Sequence, residues 1–123
     1  MTTILVVEDD DAIRAALRMG LEDEGYTVDA VSSGEEGVER QRAVPADVMI
    51  VDLMLGGMDG FTCIREVRRW SDVPIVIVSA RSDTHDVVAG LEAGADDYVT
   101  KPFQVKEISA RIRALRRLSL IHI

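Results

Sequence analysis

A chain of 123 residues, 47% apolar and 29% charged, has the size and composition of one soluble globular domain. Its longest apolar runs, such as Pro74–Ala80, fall far short of the ~20 residues a membrane helix needs, and no basic, hydrophobic leader opens it. Cys63 is the only cysteine, which excludes an intramolecular disulfide and fits a reducing cytoplasm; the net charge of −8 argues against nonspecific nucleic-acid binding by the body of the domain.

The elements alternate along the chain. A first strand is expected at Ile4–Val7, then a helix with Ile13, Ala16, Leu17 and Leu21 on one face, stopping at Gly25. A second strand covers Tyr26–Val31, and Ser33 is placed to cap a short helix that ends before Pro45. The third strand spans Asp47–Leu53, and Asp59 caps a helix with Phe61, Ile64 and Val67 aligned. Pro74–Ala80 forms the fourth strand, followed by a helix that begins after Ser82 or Asp83 and ends near Gly94. The fifth strand is Asp97–Thr100, and Val105, Ile108, Ile112 and Leu115 line one face of the last helix. Strand and helix in five-fold alternation define an α/β fold, a parallel sheet with helices on both faces. The strands are continuous apolar runs, as burial on both sides requires. Residues 101–123 hold six Lys/Arg against Glu107 alone, which reads as the solvated face of an amphipathic helix before a nucleic-acid contact. Residues 1–117 are taken as the domain, and 118–123 ("LSLIHI" from residue 118) as a linker stub or tail.

In open parallel sheets, ligands bind beyond the carboxyl ends of the strands. The first strand delivers Glu8, Asp9 and Asp10 there, the third Asp52, the fourth Ser79, and the fifth Thr100 and Lys101. Two carboxylates about 4 Å apart repel by roughly 4 kcal/mol at an effective dielectric near 20, so convergence of these acids calls for a cation. An all-oxygen donor set suits Mg²⁺, and no His or Cys is at hand for zinc or copper. Against this stands a plain alternative: Asp10 or Asp11 before a helix is a common cap, an account that does not extend to Asp52 at the end of an apolar run.

The segments "ILVVEDD", "VDLMLGGMDG", "PIVIVSA" and "GADDYVTKPF" closely resemble the receiver domains of two-component response regulators, the OmpR/PhoB class above all. The similarity runs from about Thr3 to Arg117, with the motifs in the family's order and spacing. It implies a flavodoxin-like strand order 2-1-3-4-5. It also implies that Asp52 accepts a phosphoryl group from a cognate sensor histidine kinase, in a Mg²⁺-dependent reaction the domain catalyses on itself. Asp9, Asp52 and the Met54 carbonyl match metal ligands, and Glu8 an acid that holds the metal, usually through water. Ser79 and Lys101 match the phosphoryl-binding pair, Ser79 and Tyr98 the switch, and Pro102 a proline preceded by a cis peptide bond. Asp96, Asp97, Glu107 and Arg111 match a homodimer surface built from the fourth helix, fifth strand and fifth helix. DNA binding would belong to a winged-helix domain after Arg117, and no membrane contact is implied.

Two departures qualify these expectations. Leu55–Gly56 stands where the family has Leu-Pro, which predicts a looser loop, and Val87 replaces a basic residue of the dimer surface, which predicts weaker dimers. A flavin-binding flavodoxin would want a Ser/Thr/Gly-rich phosphate loop where the acids stand. A haloacid-dehalogenase-type phosphatase would want an acid where Met54 stands. The remaining alternative, a phosphorylation-independent interaction module, is disfavoured by intact Glu8, Asp9, Asp52, Ser79 and Lys101.

Overall fold

Four of the five helices begin at a short polar side chain that accepts from an N–H of the first turn. Asp10 receives Ile13 N (2.9 Å), Ser33 receives Glu36 N (3.2 Å), Asp59 receives Thr62 N (2.8 Å) and Asp83 receives Asp86 N (2.9 Å). Each bond satisfies one donor that the helix itself leaves unpaired. Of the alternatives open in the sequence, Asp10 and Asp83 are therefore the caps.

The computed structural model describes residues 1–121. The elements are β1 (Thr3–Val7), α1 (Asp11–Asp23), β2 (Thr27–Val31), α2 (Gly34–Ala43), β3 (Val48–Val51), α3 (Gly60–Arg68), β4 (Ile75–Ser79), α4 (Thr84–Ala93), β5 (Asp97–Thr100) and α5 (Val105–Ile121). All five strands run parallel in the order β2-β1-β3-β4-β5. The β3 strand is shorter at both ends than the expected Asp47–Leu53, and Asp47, just before it, turns its carboxylate back onto Thr3, accepting from both its N–H (2.8 Å) and its hydroxyl (3.1 Å). The last helix continues past Arg117 to Ile121, while His122 and Ile123, also assigned to the tail, lie outside the described residues.

Alternate strand residues fill two cores, one on each side of the sheet. Leu5, Val7, Met49, Val51, Ile75 and Ile77 pack with Val38 of α2 and Cys63, Ile64 and Val67 of α3. Ile4, Val6, Val48, Ile50, Val76, Val78 and Val99 pack with Leu17 and Leu21 of α1 and Ile108 and Ile112 of α5. Ala16, expected on the buried face of the first helix, is exposed; Leu17 and Leu21 occupy that face, with Ile13 half-buried at its edge. Burial on both sides fixes the strands rigidly, and that rigidity sets where the first residue beyond each strand points.

Candidate functional site

At the carboxyl end of β1 the alternation of side chains separates two neighbouring acids. Glu8 is only 1% exposed, while Asp9 stands in solvent. The Glu8 N–H still donates to Val31 O (3.1 Å), so the backbone is held in register with β2 beyond the strand. Asp52 follows β3 in the same way, its N–H donating to Val7 O (3.0 Å) and its carboxylate buried at 4% exposure. Carboxylate oxygens of Glu8, Asp9 and Asp52 lie within 4.8 Å of one another.

Lys101 answers this charge. It leaves the sheet just after β5, its N–H donating to Ser79 O (2.8 Å), and the peptide bond that joins it to Pro102 is cis. Its ammonium donates to Glu8 Oε1 (2.8 Å) and Asp52 Oδ2 (3.0 Å). The remaining oxygens accept backbone donors, Asp10 N on Glu8 Oε2 (3.2 Å) and Met54 N on Asp52 Oδ1 (3.0 Å). Burial pushes the Glu8 carboxyl up to about 7, and the nearby Asp52 charge adds to the rise. The hydrogen bonds from Lys101 and the Asp10 N–H oppose it. Burial works against the Lys101 charge too, but its hydrogen bonds to Glu8 and Asp52 outweigh that and raise its pKa above the ordinary lysine value. One ammonium therefore offsets two buried carboxylates and leaves Asp9 uncompensated.

The other residues singled out in the sequence divide into those around this cluster and those elsewhere. Ser79 is fully buried at the end of β4, and its Oγ accepts from the Arg81 N–H (3.3 Å). Tyr98 is half-buried on β5 with its hydroxyl donating to the Arg81 carbonyl (2.6 Å), and burial raises its pKa. Both therefore converge on the Arg81 backbone at the start of the β4–α4 loop. Met54 begins the loop beyond Asp52 with a half-exposed side chain. On the flank, Arg111 binds both oxygens of Asp97 (3.0 Å each) and Glu107 Oε1 (3.2 Å). Asp96 is engaged away from that network, accepting from Arg68 (2.9 Å) and from Ile75 N (2.8 Å).

Arg14 went unnoticed in the sequence. Its guanidinium donates to the Glu8 carbonyl (3.0 Å) and to Asp11 Oδ1 (2.6 Å), folding the first turn of α1 back onto the acidic loop. A basic residue three places after an acid on a helix is the available signal, and it reads as an ordinary surface pair.

The donor set is all oxygen, with two buried carboxylates, Glu8 and Asp52, beyond adjacent strands and one exposed, Asp9, which fits a hard divalent cation. A doubly wound parallel sheet with such an acid cluster at the carboxyl ends of its strands and a lysine bridging it defines a class. Residues 4–113 match the model of the response regulator receiver domain, and the chain belongs to that family. Among curated relatives, it is 48% identical over 117 residues to the transcriptional regulatory protein AfsQ1 of Streptomyces coelicolor, covering 95% of this chain and 52% of that protein. It is 51% identical over 116 residues to the transcriptional regulatory protein CseB of the same organism, covering 94% of this chain and 50% of the relative. The response regulator ArlR of Staphylococcus epidermidis is 44% identical over 95% of this chain and 53% of its own length. The chain thus spans about half the length of the curated relatives it matches. Among solved structures, a response regulator from Chloroflexus aurantiacus superposes with a TM-score of 0.88 at 36% identity, covering 92% of this chain and 95% of that one. The BeF3-activated N-terminal receiver domain of Klebsiella pneumoniae RstA superposes with a TM-score of 0.88 at 28% identity, covering 92% of this chain and 97% of that one.

Proposed function

We propose that this domain is a phosphorylation switch in which Asp52 takes a phosphoryl group from a phosphohistidine on a sensor kinase in the cytoplasm. The observation that carries the reading is the convergence of Glu8, Asp9 and Asp52, with the Lys101 ammonium bridging Glu8 and Asp52. Asp52 Oδ attacks phosphorus as the P–N bond of the donor breaks, and the electron pair of that bond stays on the imidazole nitrogen. Such a transfer needs alignment of the nucleophile and neutralisation of the equatorial oxygens more than it needs acid–base chemistry. The Met54 N–H holds Asp52 Oδ1, which leaves Oδ2, the oxygen now on Lys101, as the nucleophile. Lys101, now bonded to Asp52 Oδ2, would exchange that anionic partner for the phosphoryl oxygens. Ser79 places a buried hydroxyl at the end of the adjacent strand.

Glu8, Asp9, Asp52 and the Met54 carbonyl would hold Mg²⁺, which when bound supplies positive charge to the transferring group. Hydrolysis of the aspartyl phosphate on the same residues would reset the switch. Ser79 and Tyr98, both tied to the Arg81 backbone, are the elements through which occupancy of Asp52 would reach α4. The output would be homodimerisation through α4, β5 and α5, with Asp97, Glu107 and Arg111 at its centre and Asp96 at its edge. Arg111 already engages its two terminal nitrogens with Asp97 and Glu107 of its own chain, and Val87 offers no charge, so the dimer would be modest. The relatives about twice as long are transcriptional regulators, and this domain would serve as the regulatory half of such a protein.

Acetyl phosphate with Mg²⁺ is expected to add one phosphoryl group, read by intact-mass spectrometry, and Asp52→Asn to abolish it. Equal labelling of wild type and variant would refute the assignment of Asp52.

A further inference from the structure

The segment between Asp52 and α3 carries the Met54 carbonyl, yet nothing in its own sequence stiffens it: Gly56 and Gly57 are adjacent and both are exposed. Gly57 adopts φ +72°, a conformation that favours glycine. The base of the loop is closed by Gly60 N donating to Leu53 O (3.1 Å), and Leu55 is anchored in the core. Beyond Leu55 the support comes from a different element. The first turn of α2 lies against the loop, so close that a Cβ on Gly34 would stand 2.9 Å from Met58 O. Glu35, in the same turn, accepts the Met58 N–H on Oε1 (3.2 Å), and its other oxygen would lie 3.1 Å from a Cβ at Gly57. From α3, the Cys63 thiol reaches the Gly34 carbonyl (3.7 Å). Ser33 caps this turn, so Glu35 is presented from a fixed helix start.

We infer that Glu35 is a positioning residue for the phosphoacceptor loop: by holding the Met58 amide it fixes the Met54–Met58 segment in the shape that binds the cation. This rests on the phosphoacceptor reading above. Its role is as a hydrogen-bond acceptor, not as a charge, because its partner is a neutral amide. Glutamine in its place retains an acceptor; alanine does not.

The first test needs no metal. Amide hydrogen exchange by NMR in the metal-free protein is expected to show Met58 exchanging roughly three- to tenfold faster in Glu35→Ala and near the wild-type rate in Glu35→Gln. The second is calorimetric titration with Mg²⁺, where Glu35→Ala should weaken half-saturation by a similar factor while the acetyl phosphate labelling rate at saturating Mg²⁺ stays at the wild-type value. A Cβ at Gly56 would meet nothing within 4 Å, so Gly56→Ala, which removes chain freedom by itself, should restore part of the lost Mg²⁺ affinity when added to Glu35→Ala. Unchanged Met58 exchange in Glu35→Ala, or a Gln variant as impaired as Ala, would overturn the brace. Faster exchange with unchanged Mg²⁺ half-saturation would overturn its positioning role. If wild type bound no Mg²⁺ and took no label, the phosphoacceptor reading would fall and the positioning role with it, while the exchange data alone would still report whether the brace exists.

Discussion

Among the described residues, two places set one cation between two acids, and they differ in their distance from water. Counted by side chain, Lys101 is 15% exposed and joins Glu8 and Asp52 at 2% and 5%. Arg111, 40% exposed, joins Asp97 at 25% and Glu107 at 49%. At the surface, solvent screens each charge and the pairing contributes little. In the cleft, the carboxylates have given up hydration, so a missing partner leaves an uncompensated charge in a poorly polarisable surrounding. The same arithmetic of charges is thus a local ornament in one place and a constraint on the whole site in the other.

The largest test of that contrast is Lys101→Met, which strands both acids. In urea titrations of the metal-free protein at pH 8 it is expected to cost about 3 kcal/mol, the low end for a broken buried pair because the cleft mouth is open. Added Mg²⁺ should recover part of the loss. Asp52→Asn removes one of the crowded charges together with one partner of Lys101, and should stabilise the metal-free protein by about 1 kcal/mol at pH 8, less than an unpaired acid would give. A stability loss in that variant would mean that attraction to Lys101, not repulsion among the acids, governs the cluster.

A subtler test uses pH. The Glu8 carboxyl titrates higher in the folded protein, at about 7, than in the unfolded chain, so the folded state binds that proton more tightly. Its contribution is complete below the ordinary glutamate range and is lost as pH rises toward and through 7. Metal-free melting temperature should therefore fall from pH 5 to pH 7.5, and the Mg²⁺-induced rise should be larger at pH 8 than at pH 5.5. The smallest effect belongs to the exposed counterpart: Arg111→Ala should change stability by less than about 1 kcal/mol and leave Mg²⁺ affinity unaltered in calorimetry.

The five strands, the helices and the residues that cap them are readable from local chemistry, because periodicity and capping are short-range effects. Ser33 and Asp59 show this best, since nothing beyond the next three residues is needed to explain them. Strand order is not local, and it came from the resemblance of four motifs to a family. The acids at the strand ends are legible as a problem in electrostatics, and Lys101 as a residue of interest by its place just past the fifth strand, between Thr100 and Pro102. Asp96 illustrates the limit: as one of two adjacent aspartates it reads like Asp97, yet it faces Arg68 and the Ile75 amide while Asp97 faces Arg111. Glu35 was illegible for a related reason. An exposed glutamate in a helix's first turn is accounted for by the helix dipole, and its reach to Met58, 23 residues on, exists only once α2 and the loop have docked.

The hydrogen-bond ladder joining Val7 O to Asp52 N carries a consequence for how the reactive position is protected. Neighbouring residues of β3 feed opposite layers, so a slip of one residue against β1 would exchange Met49 and Val51 with Val48 and Ile50 between layers shaped for other occupants. The same slip would turn Asp52 out of the cleft. Its aim is therefore insured by the packing of distant aliphatic residues, and whatever side chain follows Val51 enters the cleft as long as the two layers remain filled.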